Sequence, residues 1–251
     1  MTNRMIVQRI EELSMNALPA LDTNLYDGWV LRFSNGYTKR ANSINPIYLS
    51  SIDVKSKIKA VEQQYLSRGL QVVYKITEYS YPNDLEESLK KAAYRMEGET
   101  SVQVLELDNY SEKQTTNVEI FNGVTDKWLS SFYMLNGVEE IHRPILRKIL
   151  QRINGITYYA LITGEKGTVL SCGLGVLEGE YIGLYDIVTN REYRNRGYGT
   201  EVLHSLLNLG REQGAKYAYL QVVSNNLPAR KLYSKLGFVE KYKYWYRIKK
   251  E

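Results

Sequence analysis

The chain has 251 residues, 43% hydrophobic and 24% charged, which is the composition of a globular protein with one large domain or two modest ones. No stretch reaches the roughly 18 apolar residues of a membrane span, and the N-terminus lacks the apolar core and cleavage site of a secretory signal, so we expect a cytoplasmic protein with no membrane partner. The net charge of +5 comes from Lys and Arg residues spread along the chain, which argues against a nucleic-acid partner and suits a polyanionic cofactor.

The first part of the chain alternates helical and extended patterns. Hydrophobic spacing predicts a helix at 5–17, strands at 29–33 and about 37–42, a helix at 53–68, a strand at 71–76, a helix at 83–95 and a strand at 101–107. Asn35-Gly36 predicts a hairpin between the first two strands. Asp53 is the predicted N-cap of the second helix.

A polar segment without an apolar period, residues 108–116, is the predicted linker. It divides the chain into two predicted domains, 1–110 and 111–251. The patterns beyond it predict a strand at 118–121, helices at 127–135 and 138–152, strands at 157–163, 169–177 and 181–189, a helix at 200–213, a strand at 217–223, a helix at 227–236 and a strand at 238–248.

An order of helix, strand, helix and strand recurs in the two parts. Gly69 precedes an apolar strand pattern in the first part as Gly214 does in the second. We therefore interpret residues 1–110 as a divergent copy of part of the C-terminal fold.

The loop after the strand at 181–189 carries the most specific signal in the chain. It reads Arg194-Asn195-Arg196-Gly197-Tyr198-Gly199-Thr200. The start of a helix offers N–H groups without intrahelical partners and partial positive charge, and the arginines add charge-assisted hydrogen bonds. A phosphate or pyrophosphate ligand is predicted. A dinucleotide fingerprint is excluded because Val202 stands where a third glycine is required, and a P-loop because its Gly-Lys-Ser/Thr end is missing.

This R-x-x-G-x-G pattern resembles the pyrophosphate loop of the GNAT superfamily of acetyl-CoA-dependent N-acetyltransferases. Residues 226–238 (NLPARKLYSKLGF) are similar to a second motif of that superfamily, N-x-x-A-x-x-L-Y-x-x-x-G-F. Residues 1–110 look like the front half of two-lobed GNAT proteins, in which a stretch like residues 36–43 recurs. The resemblance implies an α/β (α+β) fold, a GNAT-like twisted mixed β-sheet flanked by helices, with an N-terminal partial GNAT-like lobe.

The resemblance also implies direct transfer of an acetyl group from acetyl-CoA to a primary amine, without a metal. It implies that the cofactor is bound by Ile187, Val188, Thr189, Arg194, Asn195, Arg196, Gly197, Tyr198, Gly199, Thr200, Asn226, Arg230 and Tyr233. A helix cap at Asn226 and a solvated Arg230 are alternatives.

Tyr233 is the implied general acid, since a phenol can stabilise or protonate the departing thiolate. It also belongs to an apolar helical stripe, so a core aromatic is the alternative. Asp186 is the candidate base. Glu178, Glu180 or a water route could serve instead.

Four residues are candidates for recognising the acceptor amine, namely Tyr133 and, in the N-terminal half, Arg40, Asn42 and Ser43. The sequence leaves open a small-molecule or protein amine as acceptor, and a monomer or homodimer as the assembly. The only cysteine, Cys172, is predicted to be buried, and two histidines cannot form a metal cluster. A non-catalytic acyl-CoA-binding or regulatory module is the alternative function, and a nucleic-acid-binding protein ranks last.

Overall fold

The computed structural model describes residues 2–115 and 117–249. These residues form two compact units, each assembled from more than one segment. The described residues of 1–102, 223–226 and 241–251 make up the first unit, and those of 103–222 and 227–240 the second. Division into two domains at residues 110 and 111 remains a proposal.

The described residues contain seven α-helices and eleven strands. The helices are α1 (Asn3–Ala17), α2 (Val54–Leu66), α3 (Leu85–Lys91), α4 (Asp126–Asn136), α5 (Arg143–Leu150), α6 (Tyr198–Glu212) and α7 (Leu227–Lys235). The strands are β1 (Asp22–Tyr26), β2 (Trp29–Phe33), β3 (Ile44–Asn45), β4 (Val73–Thr77), β5 (Arg95–Glu106), β6 (Glu119–Phe121), β7 (Ile156–Thr163), β8 (Val169–Glu178), β9 (Tyr181–Thr189), β10 (Tyr217–Val223) and β11 (Val239–Ile248). Most predicted elements are therefore present within a few residues.

The strands of the first unit form a mixed arrangement in the order β1-β2-β3-β4-β11. The pairs β1–β2, β2–β3 and β4–β11 are antiparallel, and β3–β4 is parallel. Trp29, Tyr65 and Tyr74 are fully buried in the core of this unit. Helix α2 begins at the predicted N-cap, where the Asp53 carboxylate accepts the Ser56 N–H at 2.9 Å.

The predicted hairpin at Asn35-Gly36 is wrong. Strand β2 pairs instead with β1, across Asp27 and Gly28, which both have positive φ angles of 42° and 79°. The predicted strand at 37–42 is a loop with one turn of 3-10 helix. Asn42 closes this loop, since its Oδ1 accepts the Ser34 N–H at 2.7 Å.

Three further predicted elements differ from the structure. Helix α3 ends at Lys91, because Ala93 has a positive φ of 59°, and β5 begins already at Arg95 rather than at 101. The helix predicted at 138–152 is split into a 3-10 turn and α5, with Pro144 in the first turn of α5.

The second unit has the strand order β10-β9-β8-β7-β6. Strands β9 and β10 are parallel, and the other pairs are antiparallel. Tyr158 belongs to the buried cluster that contains the α6 residues Val202 and Leu206, whereas the Tyr159 ring lies 4.9 Å from Trp128 of α4. Because neighbouring residues of a strand face opposite sides, α6 and α4 cover opposite faces of this sheet. The predicted α/β class, with a mixed sheet flanked by helices, is confirmed.

The predicted linker packs against α6 in its described part. The Tyr110 hydroxyl lies 2.6 Å from His204 Nδ1, and Asn208 Nδ2 donates to the Lys113 carbonyl at 2.8 Å. Residue 116 of the predicted linker lies outside the described residues. Residues 108–115 therefore belong to the second unit rather than to a free connection.

Candidate active site

The edge of β9 that faces β10 is paired only at its start. The parallel register runs from Tyr181↔Tyr217 to Leu184↔Leu220, and both strands continue beyond it. Over the described residues, 185–189 therefore have no β10 partner in the register. Main-chain polar groups on such an edge can pair with an extended ligand.

A β-bulge lies in this open part of β9. The register with β8 shifts opposite Gly173, and Asp186 takes a positive φ of 54°. A Cβ atom at Gly173 would lie 2.6 Å from both Ile187 Cδ1 and Val202 Cγ1. Glycine is therefore required between the bulge and α6. The bulge bends β9 and redirects the Asp186 side chain.

Beyond the bulge, the main-chain groups of β9 alternate between its two edges. The Asn190 N–H donates to the Leu170 carbonyl of β8 at 2.8 Å. Because hydrogen-bonded and non-hydrogen-bonded pairs alternate along an antiparallel ladder, Val188 also pairs with β8. The N–H and C=O groups of Ile187 and Thr189 consequently point to the open edge.

Strand β9 leads into α6 through an exposed loop. Asn195 and Gly197 have positive φ angles of 62° and 87°, and Gly197 is the N-cap of α6 without a side-chain hydrogen bond to the helix. The first N–H groups of α6 have no intrahelical partner and carry partial positive charge. Arg194 and Arg196 are exposed in the same loop, and the Arg196 guanidinium lies 5.1 Å from the centroid of the Tyr193 ring. The loop can therefore bind an anion.

The first turn of α6 lies against the end of β9. A Cβ atom at Gly199 would be 3.0 Å from Thr189 Oγ1, which is a tight approach that glycine relieves. Tyr198 and Thr200 on either side are half-buried. The start of α6 and the open edge of β9 are thus neighbours in the second unit.

Tyr233 lies in α7 with its ring in the core of the second unit. Its side chain is 9% exposed, and its ring centroid is 6.1 Å from that of Phe238. Burial raises the pKa of Tyr233 to about 12, so the phenol stays protonated at neutral pH. The described part of the chain offers its hydroxyl no hydrogen-bond partner. This hydroxyl can therefore donate to a ligand.

The Asp186 carboxylate lies near buried neutral groups. Burial is the main cause of the raised pKa values of Tyr159 and Cys172, and the negative charge of Asp186 is the second cause. Cys172 is fully buried, as predicted, and its Sγ lies 3.9 Å from the Asp186 carbonyl oxygen. The raised pKa keeps this thiol protonated. Cys172 is therefore unsuited to accept a proton at neutral pH.

A family model and a curated relative match nearly the whole chain. The model described as "Probable histone acetyltransferase Rv0428c C-terminal" matches residues 6–247. The chain belongs to this acetyltransferase family. It is also 30% identical over 252 residues to "Uncharacterized N-acetyltransferase YobR" of Bacillus subtilis (strain 168), covering 97% of this chain and 99% of the relative.

Solved structures show the same fold at low sequence identity. A GCN5-related N-acetyltransferase from Kribbella flavida has a TM-score of 0.71 at 12% identity, over 98% of this chain and 96% of that one. A tandem GNAT protein from the clavulanic acid biosynthesis pathway has a TM-score of 0.64 at 11% identity, over 96% and 88%. Together with the family model and the curated relative, this shared fold identifies the chain as a GNAT-type N-acetyltransferase, and the family predicted from its two motifs is confirmed.

Two predicted cofactor residues of this GNAT protein adjoin the start of α7. Asn226 is exposed, and its N–H donates to the Val223 carbonyl at 2.9 Å. Arg230 Nη2 lies 3.6 Å from Glu240 Oε2 in a partly exposed ion pair. Their roles toward an acyl donor stay predictions.

The two alternative bases lie at the far end of β9. Glu180 precedes the strand and pairs with Lys216, and Glu178 ends β8 beside it. Six residues separate Glu180 from Asp186, or roughly 20 Å of extended chain. These glutamates therefore cannot act at the same point as Asp186.

The side chains of two residues predicted to recognise the acceptor are hydrogen-bonded to nearby main-chain groups. The Tyr133 hydroxyl donates to the Arg143 carbonyl at 3.1 Å. Asn42 is buried, accepts the Gly36 N–H at 2.9 Å and donates to the Thr38 carbonyl at 2.9 Å. These contacts give both side chains structural roles.

Sequence reasoning missed a pair of tyrosine hydroxyls where β9 and β10 separate. The Tyr185 and Tyr219 hydroxyls lie 2.7 Å apart. A Cβ atom at Gly183 would lie 2.6 Å from both rings. A glycine inside a strand often marks such a close approach, and Gly183 was the available signal.

Neither a metal centre nor a membrane span was found where the structure describes the chain. In residues 2–115 and 117–249, no three His, Cys, Asp or Glu side chains are grouped so that they could hold a metal ion. No helix in those residues is long and apolar enough to cross a membrane. The absence of a metal in the reaction stays a prediction.

Proposed function

We propose that the protein transfers an acetyl group from acetyl-CoA directly to a primary amine. One observation carries this proposal: the first turn of α6 lies against the open edge of β9. The free N–H groups of that turn, with Arg194 and Arg196, supply what a diphosphate requires. Ile187 and Thr189 would pair with the amides of the pantetheine arm, whereas the main chain of Val188, which was predicted to pair with the arm as well, faces β8.

The proposed chemistry needs two protein groups. Acetyl transfer joins the amine nitrogen to the acetyl carbon, breaks the C–S bond and releases one proton from the amine. Asp186 would accept this proton, directly or through water. Tyr233 would donate a hydrogen bond to the thiolate. Because burial raises the pKa of Tyr233 to about 12, the phenol carries its proton at neutral pH and would stabilise or protonate the thiolate as the general acid.

The acceptor would be an amine of a small molecule or a protein, met in the cytoplasm by a monomer or homodimer. Asn226 and Arg230 would add contacts to the cofactor.

Calorimetry with CoA, followed by titration of released thiol with a panel of amines, tests the proposal. We expect saturable heat with CoA and thiol release from acetyl-CoA with at least one amine. Heat without turnover on any amine would favour a non-catalytic acyl-CoA-binding module. Absence of saturable heat would overturn the proposed cofactor site.

A further inference from the structure

A buried serine ties β8 to the end of β9. Ser171 is fully buried, and its Oγ lies 2.9 Å from the Val188 carbonyl oxygen, to which it donates. The same Oγ lies 3.1 Å from Thr189 Oγ1. Since the Ser171 proton is used by the carbonyl, the Thr189 hydroxyl is the donor of this second bond.

The direction of these bonds limits what Thr189 can do. Its hydroxyl proton points to Ser171, so only oxygen lone pairs remain toward the first turn of α6. A Cβ atom added at Gly199 in that turn would lie 3.0 Å from Thr189 Oγ1. Lone pairs repel an anion and accept N–H donors. The Thr189 hydroxyl is therefore unsuited to binding a diphosphate directly.

The end of β9 depends on these bonds more than an ordinary strand does. Residues 185–189 lack a β10 partner in the register, so β8 is the strand whose main chain pairs with this part of β9. The open edge at Thr189 and the start of α6 meet at this point. A small rotation of the Val188–Thr189 peptide would misdirect the groups on that edge.

We infer that Ser171 and Thr189 form a hydroxyl latch that positions the open edge of β9 for the acyl donor. Ser171 is then a positioning residue that touches no substrate. This inference rests on the proposed CoA site. It predicts that the latch governs affinity for the donor and leaves the chemical step unchanged.

The test compares Ser171→Ala and Thr189→Val by calorimetry with CoA and by steady-state kinetics. Ser171→Ala removes both hydrogen bonds of Ser171 Oγ, and we expect it to raise the Kd for CoA about 3- to 10-fold, which is part of the combined strength of those two bonds. The KM for acetyl-CoA should rise in parallel, with kcat at saturating donor unchanged. Thr189→Val should show a similar or smaller effect, and the double variant should match Ser171→Ala within about twofold.

Ser131→Ala is the matched control. Ser131 is a buried serine of α4 whose Oγ donates to the Lys127 carbonyl at 2.8 Å. Ser131→Ala should leave the Kd for CoA unchanged, even if it lowers Tm as much as Ser171→Ala does. Wild-type affinity in Ser171→Ala, or fully additive losses in the double variant, would overturn the latch while leaving the CoA site intact. Failure of the wild-type chain to bind CoA would instead overturn the proposed function.

Discussion

Tyr233 joins a buried ring to a hydroxyl for which the described residues supply no partner. Replacing it by phenylalanine keeps the ring in the core and removes only the donor. We predict that Tyr233→Phe lowers kcat by roughly 10²-fold or more and leaves the Kd for CoA within about twofold. Steady-state kinetics and calorimetry measure the two quantities.

The matched control is Tyr158→Phe, another buried tyrosine of the second unit. It should turn over at the wild-type rate. Because the pKa of Tyr233 is about 12, its ionisation should add no basic limb to the pH profile of kcat below about pH 11. Wild-type turnover in Tyr233→Phe would remove its catalytic role.

Asp186 is the proposed proton acceptor, and its positive φ of 54° decides how it should be tested. Asparagine tolerates this backbone region better than alanine does, so Asp186→Asn removes the charge with little added strain. We predict that kcat falls about 10- to 100-fold while the Kd for CoA is retained, measured by thiol release and calorimetry. Unchanged kcat would favour a water route that needs no carboxylate.

At the level of elements, close packing of β8, β9 and α6 fixes the distance between the open edge of β9 and the start of α6. An added methyl group at Gly173 would meet the stiff β-branched side chain of Val202 as well as Ile187. We predict that Gly173→Ala destabilises the fold by about 1–3 kcal/mol and weakens CoA binding. Denaturant unfolding and calorimetry measure these effects.

Gly123→Ala makes the same chemical change without the clash. No heavy atom lies within 4 Å of a Cβ atom at Gly123, and this glycine does not have a positive φ. The free energy of unfolding of Gly123→Ala should stay within about 0.5 kcal/mol of the wild-type value. Equal stability of the two variants would contradict the packing argument.

Local patterns predicted most elements because their signals lie within one segment. Helix α2 has its N-cap at Asp53 and α6 follows a Gly-rich loop, so both could be located from sequence alone. The hairpin was predicted at the wrong turn because the sequence contains two turn signals, Asn35-Gly36 and Asp27-Gly28, and the strands pair across the second of these. At the Asn35-Gly36 turn, the Asn42 side chain rather than a second strand accepts hydrogen bonds from the Ser34 and Gly36 N–H groups.

The finer geometry of the candidate site depends on residues far apart in sequence. The bulge at Asp186 needs Gly173 opposite it, and the latch needs Ser171 beside Thr189. Strand spacing does not reveal the register that brings these pairs together. The loop could therefore be predicted from its motif, whereas the bulge and the latch could not.

At the scale of the whole molecule, the two units repeat one pattern of pairing. Two antiparallel pairs and a parallel pair occur in β1-β2-β3-β4 and again in β7-β8-β9-β10. This shared pairing order supports the predicted internal repeat, which stays a prediction. We propose that the chain has two related domains and that the core of the second begins before residue 111.

A fragment of residues 111–251 tests that proposal. It lacks Leu105, Leu107 and Tyr110, which are buried in the core of the second unit, and the Leu107 N–H donates to the Lys216 carbonyl at 2.8 Å. Losing three buried side chains costs on the order of 5–9 kcal/mol, comparable with the stability of a domain. The fragment also lacks β4, the partner of β11.

We predict that this fragment shows no cooperative thermal transition by circular dichroism and no heat with CoA. A fragment of residues 103–251 keeps the three buried residues and should retain more structure under the same conditions, although β11 lacks β4 there as well. The comparison isolates the segment 103–110, because the two fragments differ in nothing else. A cooperative transition of 111–251 at the Tm of the whole chain would place the domain boundary at residue 110, as first predicted.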